Sequence, residues 1–157
     1  MGIFEDATSH LLREALGFVH DKQALTKLKR VLRSKLRREM HFNSELFGDD
    51  EVDTEKKLAR LETDALEYIF QQPIPIEDLF EGAIDKEVLH KCNERGPRAG
   101  DGHHANNMKG LETEGQLIER VFHRTKISKA RMELGRASPG DMEYLGKLMH
   151  ALLLVLK

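Results

Sequence analysis

The sequence has few of the residues that characterise disulfide-rich, membrane-spanning or aromatic-rich proteins. It contains one cysteine, Cys92, and no tryptophan, and aromatic residues make up 6% of its 157 residues. A single cysteine cannot close an intramolecular disulfide, so we expect the reducing environment of the cytoplasm. The apolar run at residues 150–156 is much shorter than the roughly 20 apolar residues of a membrane span. We therefore expect neither a membrane-spanning nor a secreted protein.

Sequence motifs of several common enzyme folds are also absent. There is no G-x-G-x-x-G, G-x-x-x-x-G-K-[ST], G-x-S-x-G or H-E-x-x-H segment. This argues against the dinucleotide, P-loop, hydrolase and zinc-peptidase sites that are built on these motifs. His90, Cys92, His103 and His104 do not have the spacing of a zinc site. We expect no cofactor and no metal.

Apolar residues recur at helical spacing along most of the chain, and almost no segment alternates as a β-strand does. The pattern predicts an all-α fold, a helical bundle of five or six helices with an up-and-down core, in a single domain over residues 1–157. Ser138, Pro139 and Asp141 form the best helix start in the chain. Residues 93–110 are rich in glycine and asparagine, and we expect a long polar loop there. The main predicted helices cover residues 22–47, 54–71, 112–134 and 139–157, with a first helix over 4–18 and a shorter one from about 76.

Two polar residues lie within the apolar stripe of the predicted helix 22–47. Glu39 and Asn43 are one turn apart where leucine would continue the pattern, so their burial requires partners for a carboxylate and an amide. If this helix packs antiparallel to helix 112–134, cationic groups of the second helix can be those partners. We therefore predict a buried polar network that fixes helix register, with a catalytic or ligand-binding role, or exposure at a helix end, as the alternatives. The predicted network comprises Glu39, Asn43, Arg120, His123 and Arg124.

Charge is arranged in blocks, although the formal net charge is only -2. Residues 22–38 contain eight bases and no acid, whereas residues 45–87 contain 14 acids and four bases. A basic helix of this kind can bind phosphate groups, but it can equally pair with acidic faces within the chain or between subunits. No aromatic residue lies among the bases, so we expect no platform on which single-stranded bases could stack. The predicted polyanion-binding residues are Lys29, Arg30, Arg33 and Arg37.

The C-terminal segment is apolar on all sides of its predicted helix. Such a segment is either enclosed by other helices of the chain or buried against another chain. Burial of this segment against another chain would give self-association, and the segment is the main feature of the sequence that favours it. The predicted interface consists of Leu152, Leu153, Val155 and Leu156.

Arg98 and His103 in the predicted loop have the spacing R-x4-H. In an all-α protein of this size, that spacing resembles the signature of the HEPN ribonucleases, although the four residues between the two favour a turn. The resemblance implies metal-independent cleavage of RNA across a helical dimer, with Arg98 and His103 as the catalytic residues. It also implies a toxin–antitoxin or antiviral-defence setting.

The sequence thus predicts a non-enzymatic interaction or assembly module, either a homo-oligomer or a small subunit of a larger complex. A nucleic-acid-directed protein is the alternative, either a binder of RNA or DNA through residues 22–38 or a ribonuclease. A ligand pocket around Glu39 and Asn43 is a third hypothesis. The expected partner is a second copy of the chain or another protein, with nucleic acid as the alternative, and no membrane.

Overall fold

A computed structural model describes residues 21–94, 108 and 110–157 of the chain, and it confirms the all-α fold. These ranges contain seven helices and no β-strand. The predicted helix over 4–18 and most of the predicted loop over 93–110 lie outside the described residues. In chain order the helices are α1 (Lys22–Gly48), α2 (Thr54–Arg60), α3 (Asp64–Gln71), α4 (Ile76–Leu79), α5 (Lys86–Glu94), α6 (Glu114–Glu133) and α7 (Pro139–Val155).

The last helix, α7, forms the centre of the bundle. It begins at Pro139, and the Ser138 hydroxyl accepts a hydrogen bond from the Asp141 N–H (3.1 Å), as the sequence predicts. α7 packs against α1, α5 and α6. Contact with three helices explains why it is apolar on nearly all sides. Its buried residues are Met142, Tyr144, Leu145, Leu148, Met149, Ala151 and Leu152.

α1 is the longest helix and packs along α7. Asp21 caps its N-terminus by accepting hydrogen bonds from the N–H groups of Gln23 and Ala24. The predicted apolar stripe is the buried face, because Leu32, Leu36, Glu39, Met40 and Asn43 are the buried residues of α1.

The helix predicted over residues 54–71 is two helices in the structure. α2 ends at Arg60 and α3 begins at Asp64. Leu61 is buried between them, which is why the apolar spacing continues across the break. The prediction of one continuous helix is wrong because side chains of α1 bind the backbone of residues 62, 65 and 66.

α5 extends to Glu94, two residues into the segment predicted to be a loop. Its buried residues Leu89 and Cys92 belong to the core, and the helix packs against α7. Burial of this apolar face extends the helix beyond the point where the composition becomes polar.

A short antiparallel backbone contact joins the segment before α5 to the start of α6. Ala83 pairs with Thr113 in an isolated β-bridge, and the Glu114 N–H donates to the Gly82 carbonyl (2.9 Å). A Cβ at position 82 would lie 2.6 Å from Glu114 Cδ, so only glycine fits without moving that carboxylate. Thr113 and Gln116 then form a capping box that starts α6.

The predicted interface at the C-terminus is largely part of the core of the chain. Leu152 and Leu156 are buried by the other helices, so for these two residues the assignment to an interface with another chain is wrong. Leu153 and Val155 are half-buried and pack against the same core. None of the helices that the structure describes is long and apolar enough to cross a membrane.

We expect Leu152→Ala to lower the free energy of unfolding by about 2–5 kcal/mol, because it removes a fully buried side chain and leaves a cavity. Leu153→Ala is the matched variant, and it should cost less because Leu153 is only half-buried. Urea titration measures the stability and sedimentation velocity measures the oligomeric state. Loss of an oligomer in Leu152→Ala, with stability unchanged, would contradict the assignment of this residue to the core.

Candidate functional site

Two bases of α1 pair with acids of the same chain. Lys29 Nζ lies 3.4 Å from Glu81 Oε1. Arg33 binds Glu114 with both of its terminal nitrogens, at 2.8 and 2.9 Å. Lys29 and Arg33, two of the four predicted polyanion-binding residues, are thus engaged by acids of the same chain.

The pair of Arg33 and Glu114 links three helices. Besides the two bonds to the carboxylate at the start of α6, Arg33 Nη2 donates to the Val155 carbonyl at the end of α7 (3.2 Å). The hydrogen bonds to Glu114 raise the pKa of Arg33, burial lowers it, and the charge of Glu114 raises it further. This cation also interacts favourably with the negative end of the α7 dipole. Arg33 is thus a structural residue.

Four other bases face solvent on the side of α1 opposite the core. Lys27, Arg30, Arg37 and Arg38 are all exposed, and among the described residues none of the four forms an ion pair. Positions 27, 30, 34, 37 and 41 follow helical spacing and therefore lie in one stripe, with Arg38 beside it. We call the surface formed by Lys27, Arg30, Arg37 and Arg38 the basic face. The sequence-predicted residues Arg30 and Arg37 belong to it.

Aromatic side chains from outside residues 22–38 border the basic face. Phe42 follows Arg38 by one helical turn and is 42% exposed. Tyr68, on α3, is 44% exposed, and Lys35 Nζ lies 5.2 Å from the centre of its ring. Helical spacing could have identified Phe42, whereas Tyr68 reaches α1 only through tertiary packing.

A shallow depression of about 420 Å³ lies at one edge of the basic face. Arg37, Arg38 and His41 of α1 line it, together with Leu153 and Lys157 at the C-terminal end of the described chain. Lys157 therefore adds a further cation to this side of the molecule. Half-buried Leu153, predicted as part of an interface, forms an apolar portion of this surface.

Glu39 is buried as the sequence predicts, and it caps α3 from the neighbouring helix. Its two carboxylate oxygens accept hydrogen bonds from the N–H groups of Ala65 (2.8 Å) and Leu66 (3.1 Å). Thr63, at the N-cap position of α3, makes no capping bond with its own side chain. Glu39 therefore satisfies two of the N–H groups that a helix start leaves unpaired.

Burial raises the pKa of Glu39 above its ordinary value. The two backbone hydrogen bonds oppose this rise, and the nearby carboxylates of Asp64 and Glu62 add to it. The folded chain thus holds a proton on Glu39 more tightly than the unfolded chain does.

Asn43 binds the break between α2 and α3. Its side-chain nitrogen donates to the Glu62 carbonyl (2.8 Å), and its side-chain oxygen accepts from the Glu62 N–H (2.9 Å). Both polar atoms of the fully buried Asn43 side chain therefore have hydrogen-bond partners. Glu39 and Asn43 together hold the chain where it turns from one helix into the next.

The predicted cationic partners of Glu39 lie elsewhere. Arg120 Nη1 donates to the Tyr144 hydroxyl (3.3 Å), and the Arg124 guanidinium lies 5.2 Å from the centre of the same ring. His123 is exposed. The predicted network with Arg120, His123 and Arg124 is wrong because α7 packs against both α1 and α6, and Glu39 faces α3 instead.

Two other clefts lie away from the basic face. One, of about 550 Å³, is formed by the C-terminal end of α3 and the first half of α6. The other, of about 500 Å³, contains the buried Cys92 and also His150 and Glu143. Within the part of the chain that the structure describes, no group of three or more His, Cys, Asp or Glu residues could hold a metal ion.

The predicted catalytic pair Arg98 and His103 lies outside the described residues. The resemblance to ribonucleases therefore stays a prediction. Comparison with known proteins identifies no relative, since no family model, no curated protein and no solved structure matches the chain. Function must therefore be inferred from the side chains of this chain alone.

We expect the stability advantage of the unmodified protein over Glu39→Gln to shrink as pH rises from 4 to 7. Because the pKa of Glu39 is higher in the folded state, its contribution is fully present below the unfolded pKa and is lost as pH rises through the folded pKa. Urea titrations at four pH values measure this difference, with Glu77→Gln as the control, because Glu77 of α4 is exposed. An advantage that grows with pH would instead mean that the α3 N-terminus lowers the pKa of this carboxyl.

Proposed function

We propose that the protein is a non-enzymatic helical interaction module that binds nucleic acid through the basic face of α1. The observation that carries the proposal is the division of the α1 bases. Lys29 and Arg33 are paired with acids of the chain, whereas Lys27, Arg30, Arg37 and Arg38 are exposed without an ion pair among the described residues. A surface of this kind has a positive potential that attracts a polyanion.

The dimensions of the basic face suit a phosphate backbone. Residues 27–38 extend over about 17 Å of helix at 1.5 Å per residue. Several phosphates of one strand fit along that length, because the phosphates of a duplex strand are spaced by roughly 3.4 Å along the axis. Residues 27–38 contain no acid. The next residue, Glu39, is buried and binds α3.

The bordering aromatic side chains favour single-stranded nucleic acid. Phe42 and Tyr68 both expose more than two fifths of their surface beside the bases. An exposed aromatic ring next to a cationic track is the usual arrangement for stacking unpaired bases, and each stacked base contributes about 1–3 kcal/mol. We therefore expect single strands to bind more tightly than duplexes of equal length.

Self-association through the C-terminal helix has less support than the sequence suggests. Leu152 and Leu156 contribute to the core of a single chain, so that of the four predicted interface residues the half-buried Leu153 and Val155 remain for a partner. Pairing of the basic face with the acidic block of a second copy would give an association that also weakens with salt. Association of the protein without nucleic acid would identify a second copy as the partner, and binding of added nucleic acid would identify nucleic acid.

The basic-face variant replaces all four bases of that face with Gln. It should bind labelled single-stranded RNA roughly 100-fold more weakly at low salt, since four phosphate contacts disappear. Its substitutions are Lys27→Gln, Arg30→Gln, Arg37→Gln and Arg38→Gln. The matched control replaces four exposed bases outside the basic face with Gln and has the same net charge. It should bind within about threefold of the unmodified protein. These control positions are Arg60, Lys86, Lys91 and Arg136.

Fluorescence anisotropy with single-stranded RNA, single-stranded DNA and duplex RNA provides the affinities. Equal losses in the basic-face variant and the control would show that net charge, not this surface, governs binding. Absence of binding to all three, with concentration-dependent association of the protein alone, would replace nucleic acid by a second copy as the partner. Gel analysis of the same RNA, with Arg98→Ala and His103→Ala, tests the ribonuclease alternative.

A further inference from the structure

The cleft formed by the C-terminal end of α3 and the first half of α6 combines an aromatic wall with cationic groups. Its volume of about 550 Å³ lies within the range of small-molecule sites in proteins. It shares no residue with the basic face of α1. The residues that matter for its chemistry are Phe70, Glu119, Arg120, Phe122, His123 and Lys126.

The aromatic wall is a stacked pair of rings. The centres of Phe70 and Phe122 are 4.4 Å apart, and their planes differ by 14°. Both side chains are only half-buried, so they present apolar surface to the cleft. A surface of this kind favours a planar, apolar ring.

The cationic groups come from one side of α6. Arg120, His123 and Lys126 follow each other at intervals of three residues, which places them along the same side of the helix. Lys126 Nζ lies 4.4 Å from the centre of the Phe122 ring, over the face that Phe70 does not cover. Phe70 is therefore the ring of this pair that a ligand can contact. Arg120 donates to the Tyr144 hydroxyl, and this bond restricts its position.

The described part of the lining contains more bases than acids. Among its residues Glu119 is the single acid, and Arg120 and Lys126 are the bases. An anion therefore gains from entering, and a ligand with both a planar ring and an anionic group satisfies the two parts of the lining at once. A ring without an anion, or an anion without a ring, satisfies only one part.

We propose that this cleft binds a nucleoside phosphate, with the base against Phe70 and the phosphate beside Arg120 and Lys126. The ligand is either a free mononucleotide or the terminal nucleotide of a strand, which present the same chemistry. The inference does not depend on nucleic-acid binding by α1, because the two surfaces have no residue in common.

Isothermal titration calorimetry with the full chain tests the proposal. The probes are AMP, CMP, adenosine, inorganic phosphate, and a four-nucleotide single strand with and without a 5′-phosphate. AMP or the phosphorylated strand should bind at least tenfold more tightly than adenosine or phosphate alone. Tighter binding of AMP identifies a free nucleotide as the ligand, and tighter binding of the phosphorylated strand identifies a strand terminus.

Two substitutions assign the binding to this cleft. Lys126→Gln should weaken the preferred probe at least fivefold, whereas Lys129→Gln, three residues further along α6 and outside the cleft, should leave it within twofold. Phe70→Leu removes the ring that contacts the base and should weaken nucleotide binding while leaving the weak binding of phosphate alone unchanged. Lys126 is exposed, so its substitution does not threaten the fold.

The proposal is overturned if no probe binds at millimolar concentration. It is also overturned if phosphate alone binds as tightly as AMP, since the aromatic wall would then contribute nothing. Equal effects of Lys126→Gln and Lys129→Gln would overturn it as well. The basic-face variant of α1 should retain AMP binding, which keeps a failure of this proposal separate from a failure of the proposed function.

Discussion

The packing of α1 against the central helix α7 determines which of the eight bases in residues 22–38 face solvent. Leu32, Leu36 and Met40 are buried on the inner side, and this fixes the rotation of α1 about its axis. Lys29 and Arg33, at one margin of that face, find acids of the chain, whereas Lys27, Arg30, Arg37 and Arg38 on the far side do not. The exposed charge is thus a geometric consequence of burying the apolar stripe, and the proposed binding surface follows from it.

Polar groups within the interior keep α1 in this orientation. Arg33 joins α1 to the start of α6 and the end of α7, and its partner Glu114 fits only because position 82 has no side chain. Glu39 and Asn43 bind the backbone between α2 and α3. Such bonds are directional, so a rotation of α1 that would bury part of the basic face would leave several buried polar groups unpaired.

Sequence reasoning correctly predicted features that depend on local pattern. The extent of α1, the start of α7 at Ser138 and the burial of Glu39 and Asn43 all follow from helical periodicity and capping residues. The partners of Glu39 could not be predicted from sequence, because they depend on which helix lies opposite. They are also backbone N–H groups, which have no sequence signature. The break after Arg60 escaped prediction because Leu61 continues the apolar pattern. Tyr68 approaches Lys35 only in the folded chain.

The salt dependence of binding tests the central claim most directly, since every phosphate that a base contacts releases a counterion. For single-stranded RNA we predict that Arg37→Gln reduces the slope of log affinity against log salt concentration by about 0.7. Lys29→Gln should leave the slope unchanged, because Lys29 is paired with Glu81 within the chain. An unchanged slope for Arg37→Gln, or an equal reduction for both variants, would contradict the account in which the outer bases of α1 contact nucleic acid.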